Sequence, residues 1–322
     1  MSKWFGKRVL VTGSSGVIGR VLVKELVRHS IVRDSSGFLR LDPIPGEIDL
    51  NKFYNAEYYE SLNSVNRAPD LRRSMNGGEE GVSELDWLSK TVWLDINDIL
   101  SSHIEVEKRM LLDFGCGPGH FARYMSDNSW DTTGIEPSDS AATIATNRFG
   151  LNVYQSLDSF LEVSDGGLFD AITLLNVLEH VRNPKEIIGQ LGKLMHNDGL
   201  LVIRVPNDFT ELQAYTQKAL NVKPWWISAP DHINYFNFST LARLLDEVGF
   251  IVVDKLGDFP MEMFLLFGDD YTSDPAVGKE CHRKRKLFEL AITPQMRRSI
   301  YRGFAESDIG RDCLVFAKLE KN

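Results

Sequence analysis

The chain has 322 residues, ample for a buried core in one large domain or two modest ones. With 43% hydrophobic and 25% charged residues its composition is ordinary for a globular protein, which excludes disordered, collagen-like and disulfide-framework chains. A net charge of −9 and a pI near 5.4 argue against a general polyanion binder, so no nucleic-acid partner is expected.

The longest apolar runs, such as 171–175 and 263–267, fall far short of the roughly 18 residues of a membrane span, so no membrane partner is expected. The first eight residues lead into a strand-like run and glycines, without the apolar stretch and small-residue cleavage site of a signal peptide. Cys116, Cys281 and Cys313 are scattered with no CxxC pair, which supports neither disulfides nor a cysteine-rich zinc site. A cytoplasmic enzyme is the expectation.

In chain order, residues 8–28 read as strand, glycine turn and helix, with Thr12-Gly13-Ser14-Ser15-Gly16-Val17-Ile18-Gly19 at the turn. Residues 34–100 look irregular, with Pro43, Pro45, a tyrosine group (Tyr54, Tyr58, Tyr59) and a polar stretch around 76–78. Loops and short helices forming a cap are predicted there. From Met110 onward, apolar strands alternate with helical segments: 110–114, 132–135, 171–175 and 200–205. That alternation points to a parallel α/β sheet. Two more strands are predicted at 250–253 and 313–318. Between them and the earlier strands, Leu241, Leu244, Leu245 and Val248 follow helical spacing, with Ser239 as the predicted N-cap and Gly249 as the C′ glycine.

The stretch Leu111-Leu112-Asp113-Phe114-Gly115-Cys116-Gly117-Pro118-Gly119 ends an apolar strand in an acid and follows it with a glycine turn. A helix from about His120 would then present free N–H groups and a positive dipole end. A dinucleotide fingerprint would need GxGxxG, but His120 stands three residues after Gly117. Asp113 would sit awkwardly beside a pyrophosphate, yet it suits a ligand carrying an ammonium and a sulfonium. Glu136, twenty-three residues later, ends the next strand, placed to accept hydrogen bonds from a ribose diol.

This constellation resembles the class I S-adenosylmethionine-dependent methyltransferases, in the small-molecule branch related to ubiquinone-biosynthesis and sugar methyltransferases. The segments 169–181, 197–207 and 231–236 fit as well, and the resemblance spans roughly 37–320. It implies S-adenosylmethionine as cofactor, its methionine part held by Asp113, Gly115, Gly117 and Gly119 and its ribose by Glu136. Ser156 and Leu157 would border the adenine, and Asn176 would contact the methionine portion. The implied fold is a seven-stranded, mostly parallel Rossmann-like sheet with flanking helices and an antiparallel last strand. The expected domains are a fragment at 1–32, a cap or lid at 33–100, and a methyltransferase domain at 101–322. An insertion at about 258–310 is expected to cover the acceptor.

Thr12 to Gly19 resembles the opening of an NAD-dependent epimerase or short-chain dehydrogenase. No tyrosine has a lysine four residues later, and one βα unit cannot close a nucleotide site. Residues 1–32 are therefore read as a vestigial fragment. Sugar C-methyltransferases carry a cysteine-rich zinc module ahead of a segment like 37–45, but Asp34-Ser35-Ser36-Gly37 stands in that place. No metal is expected.

For catalysis the sequence offers His232, preceded by Asp231, as base or acceptor ligand, since methyl transfer chiefly needs alignment and removal of the acceptor's proton. Glu179-His180 is read as more architectural than catalytic. Trp225 and Trp226 are read as core filling or as an acceptor wall. Residues 279–302 hold eight Lys/Arg and two Glu, read as a solvated face or as a diphosphate contact. With the ending 308–316, similar to methyltransferases of surface-polysaccharide clusters, this suggests a sugar or nucleotide-linked sugar acceptor. The rival readings are an NAD-dependent epimerase or dehydrogenase and a non-catalytic S-adenosylmethionine-binding subunit. Acceptor identity, the methylated atom and oligomeric state are not legible.

Overall fold

The computed structural model describes residues 30–46, 78–164, 167–229 and 231–320. The Thr12–Gly19 loop and the tyrosine group at 54–59 lie outside the described residues. The chain opens with β1 (Ser30–Arg33) and β2 (Leu39–Asp42), then α1 (Gly78–Lys90) and α2 (Val92–His103). The alternating part follows: β3 (Arg109–Phe114), α3 (His120–Asp127), β4 (Trp130–Ile135), α4 (Asp139–Phe149), β5 (Asn152–Tyr154), α5 (Leu157–Val163) and β6 (Phe169–Leu175). After a short 3-10 turn at Leu178–His180 come α6 (Pro184–Gly192), β7 (Met195–Pro206), α7 (Glu211–Leu220), β8 (Asn234–Tyr235) and α8 (Phe238–Asp246). The chain closes with β9 (Phe250–Gly257), α9 (Glu262–Leu266), α10 (Pro275–Ala291), α11 (Pro294–Glu306) and β10 (Asp312–Leu319).

Seven strands form one sheet in the order β5-β4-β3-β6-β7-β10-β9, and β10 runs antiparallel to both neighbours. This is the predicted sheet. Both of its faces are buried, which is why its strands read as continuous apolar runs rather than alternating ones. Leu112, Ile172, Leu201 and Val315 pack with Ile188 and Leu191 of α6 and with Leu241, Leu244 and Leu245 of α8. Their neighbours Leu111, Ala171, Leu200 and Leu314 face the other way, onto Ile96 and Leu100 of α2 and Phe121 and Met125 of α3. A second sheet, β1-β2-β8, joins the start of the described chain to the loop after α7.

Two expectations are corrected. The short helices predicted within 34–100 are longer than expected: α1 and α2 have 13 and 12 residues. The predicted cap Ser239 lies inside α8; its N-cap is Asn237, whose side chain accepts from the Thr240 N–H in a capping box. Gly249 does adopt the left-handed conformation expected of it, at φ 81°.

The basic run 279–302 is solvated in part, with the Lys279, Arg283, Lys284 and Arg302 side chains 72%, 60%, 42% and 45% exposed, but it is not a free phosphate contact. Each of its eight cations meets an acid: Lys279 with Glu80, Arg283 with Glu280, Lys284 with Asp269, Arg285 with Glu289 and Asp258, and Lys286 with Glu84. Arg297 and Arg298 grip Asp95, and Arg302 grips Asp254. The pairs of Lys279, Lys286, Arg297, Arg298 and Arg302 bind α10 and α11 to α1, α2 and β9. At the centre, Arg297 is 2% exposed and donates to both Asp95 oxygens at 2.9 Å. Burial raises the Asp95 pKa in spite of the two guanidiniums.

Removing Arg297 would leave the buried Asp95 with Arg298 as its remaining guanidinium and part of its charge uncompensated. Arg297→Met is therefore expected to cost on the order of 3–5 kcal/mol in chemical denaturation. Arg283→Met, at an exposed pair, should change stability by less than about 1 kcal/mol.

Candidate functional site

The carboxyl ends of β3, β4 and β6 form the site, where ligands bind in open α/β sheets. Asp113 is the last residue but one of β3 and is 2% exposed. Its Oδ1 accepts a 2.7 Å hydrogen bond from the Thr173 hydroxyl of β6. Burial pushes the Asp113 carboxyl up to about 7 against the pull of Thr173, and the charge of Glu136 adds to the rise. Glu136 follows β4 directly and is 7% exposed. Its two oxygens accept from Gly117 N–H and Ser138 N–H, each at 2.9 Å. Burial raises its pKa too.

Between the two acids runs the glycine turn. Gly115 and Cys116 donate their N–H groups to Ile135 O at 2.7 and 3.1 Å, which ties the loop across the end of β4. Gly115, Gly117 and Gly119 all have positive φ. Gly119 caps α3 and meets α4 at close range; a Cβ there would lie 2.7 Å from Leu151 Cδ1, 2.8 Å from Ala145 Cβ and 3.2 Å from Ala145 Cα. The structure thus brings together five of the predicted residues: Asp113, Gly115, Gly117, Gly119 and Glu136.

Ser156 and Leu157 lie beyond β5, on the far side of β4. The Ser156 hydroxyl and N–H are both engaged in a capping box with Ser159, and Leu157 is buried in the core. Asn176 stands at the end of β6 in the left-handed conformation, φ 59°. Its N–H donates to Arg204 O at 2.8 Å, and its Oδ1 accepts from Arg204 Nη1 at 3.0 Å.

Asp231 and His232 come from a distant loop, yet they meet the turn after β6. Ile233 N–H donates to Glu179 O at 2.8 Å, and Asn234 Nδ2 donates to Leu178 O and Val181 O at 3.1 and 2.6 Å. His180 Nδ1 lies 2.8 Å from Asp231 O, and the His180 and His232 rings stand edge to face with centroids 4.9 Å apart. Glu179, 2% exposed, places Oε1 3.8 Å from His180 Nε2. Trp226 is buried and packs edge-on against Phe209, and Trp225 packs edge-on against it.

Sequence reasoning missed Thr173, Arg204 and Asn234, whose roles depend on partners 28 to 60 residues away. It noticed Glu179-His180 but had no signal that the pair touches His232. Cys116, Cys281 and Cys313 are each buried and separate. No helix among the described residues is long and apolar enough to cross a membrane.

A family model described as a methyltransferase domain matches residues 92–255, just over half of the chain. The chain is 30% identical over 155 residues to a ubiquinone biosynthesis O-methyltransferase of Glaesserella parasuis, covering 41% of this chain and 66% of that one. It is 26% identical over 166 residues to the same-named enzyme of Coxiella burnetii, covering 49% and 70%. The chain thus spans about two thirds of the length of these relatives. Among solved structures, the plantazolicin methyltransferase BpumL, in a complex with a pentazolic analogue and SAH, aligns over 85% of this chain and 98% of its own. The identity there is 16% and the TM-score 0.48.

Gly119 and Gly150 share a left-handed backbone, but nothing lies within 4 Å of a Cβ at Gly150. Gly150→Ala should cost about 1–2 kcal/mol for conformation alone. Gly119→Ala should cost a further 1–3 kcal/mol or so for overpacking. Denaturant titration of the two variants side by side measures the difference.

Proposed function

The chain belongs to the methyltransferase-domain family, and on that premise we propose that it moves a methyl group from S-adenosylmethionine to a hydroxyl of a small-molecule acceptor. The observation that carries the reading is the pair of buried carboxylates, Asp113 and Glu136, flanking the glycine turn. Burial disfavours both charges, so the pair calls for a ligand that brings positive charge and hydroxyl donors to it. S-adenosylmethionine supplies an ammonium and a sulfonium for Asp113 and a ribose diol for Glu136. The turn glycines let the backbone approach the ligand, Asn176 faces the methionine portion, and Ser156 and Leu157 border the adenine.

Methyl transfer is an in-line displacement at the sulfonium carbon, so the protein's work is alignment and proton removal. His232 is the proposed base, taking the acceptor's hydroxyl proton as the oxygen–methyl bond forms and the sulfur leaves with its electron pair. Asp231 helps to place it: its carbonyl holds the neighbouring His180 ring. Relatives whose names state O-methyl transfer support an oxygen acceptor. A sugar remains the proposed class. A diphosphate handle on it has no support from α10 and α11, where every cation of the run 279–302 already meets an acid.

Asp113→Ala and Glu136→Ala should each weaken S-adenosylhomocysteine binding by about 1–3 kcal/mol in calorimetry. Unchanged affinity in both would remove the basis of the assignment. The pH dependence follows from the Asp113 carboxyl, which holds its proton below about 7. The ligand's ammonium is drawn to the ionised form only. Affinity should therefore rise as pH is raised through that value, with proton release on binding. Asp113→Asn should flatten that rise.

His232→Ala should keep cofactor affinity yet lose about 10²–10⁴ in turnover. Single-turnover rates with an identified acceptor decide it, and a variant within a few-fold of the parent leaves His232 a structural role.

A further inference from the structure

Three metal-ligating side chains meet where the turn after β6 touches the loop before β8. One donor atom each from Glu179, His180 and His232 lies within 4.8 Å of the others. Tetrahedral zinc, with ligand bonds of about 2.0–2.1 Å, holds its donors about 3.3 Å apart. Rotations of about 1.5 Å at the side-chain tips would close the present arrangement to that spacing. The backbones need not move: the Ile233 and Asn234 hydrogen bonds to residues 178, 179 and 181 hold the two segments together.

The donor chemistry fits as well as the spacing. A carbonyl oxygen can only accept, so the 2.8 Å contact with Asp231 O puts the His180 proton on Nδ1. In the neutral ring that leaves the Nε2 lone pair turned towards Glu179, at 3.8 Å from Oε1. Metal-bound histidines are commonly held this way, the far nitrogen donating to a carbonyl or carboxylate. Glu179 is 2% exposed, its Oε2 makes no hydrogen bond, and its ion-pair contact among the described residues is His180 itself. Two imidazoles and one carboxylate suit zinc and its transition-metal neighbours, whereas magnesium prefers a shell of oxygens.

We propose that Glu179, His180 and His232 form a binding site for a divalent transition cation such as zinc, and that a cation held there silences methyl transfer by occupying the His232 lone pair. The second half rests on His232 being the base; the first does not. The expectation of no metal came from the missing cysteine module, which has no bearing on these three residues.

Calorimetric titration of zinc chloride alone into the full chain, with S-adenosylhomocysteine present, tests the site. One site per chain in the micromolar range is expected, weakened at least about tenfold in His180→Ala and in His232→Ala. His282→Ala, whose ring pairs with Glu84 elsewhere, should bind zinc as the parent does. Magnesium chloride should give no such signal. No zinc site, or equal binding in His180→Ala, overturns the proposal; should that variant fail to fold, His180→Gln replaces it. In turnover assays zinc should lower kcat and a chelator restore it. Zinc bound at this site without loss of turnover overturns the silencing. A chain that methylates no acceptor would instead sink the functional reading and leave the calorimetric result standing.

Discussion

Two carboxylates buried side by side at the ends of adjacent parallel strands constrain everything around them. Asp113 and Glu136 lie where ionisation is costly, and no lysine or arginine is among the causes that shift either pKa. What the fold supplies instead is neutral donors: the Thr173 hydroxyl for Asp113 and the N–H groups of Gly117 and Ser138 for Glu136. Those donors set the local geometry. Gly117 can offer its N–H to Glu136 only because the loop turns back over β4, and that turn requires the left-handed glycines. On the proposed reading, this partly compensated negative charge is what a cationic ligand would complete.

A different electrostatic solution holds the other side of the sheet. Arg285, Arg297 and Glu289 are all buried, and each is compensated by charge: Glu289 takes Arg285, the Trp87 indole N–H and the Tyr301 hydroxyl. Exchanging such a pair for well-packed apolar residues is often neutral for stability, whereas removing one partner alone is costly. Helices α10 and α11, inserted between the last two strands, are in this way tied to α1 and α2 from the start of the described chain. The same ties remove the basic run as a free anion-binding surface.

That pattern explains what was and was not legible in the sequence. Strands β3 and β6, and β7 from Gly199 onward, are buried on both faces and read as plain apolar runs. Strand β5 has three residues and an exposed first position, so it leaves no such run. Helices α1 and α2 looked irregular because the residues they bury include Glu84 and Asp95, whose partners lie about two hundred positions later. In α8 the apolar spacing was readable, but its start was ambiguous between two cap-competent residues, and the Asn237–Thr240 box decides it. The meeting of acids and glycines at the ends of β3 and β4 was legible because those residues are local in sequence. The meeting of His180 with His232 was not, since a pairing across fifty residues leaves no periodic trace.

Asn176 joins the two halves. Its left-handed backbone is a conformation asparagine tolerates better than most residues, and it turns the chain from the end of β6 into the Glu179-His180 turn. Arg204 holds it through both backbone and side chain, and Arg204 is itself paired with Asp312 at the start of β10 and with Asp258. Asn176 is thus tied through Arg204 to β7 and stands four residues before His180, whose ring meets that of His232. In-line displacement tolerates little error in the angle between donor sulfur, methyl carbon and acceptor atom. On the proposed reading, anchoring Asn176 to the ends of β6 and β7 lets the sheet, rather than a loop, set the donor side of that angle.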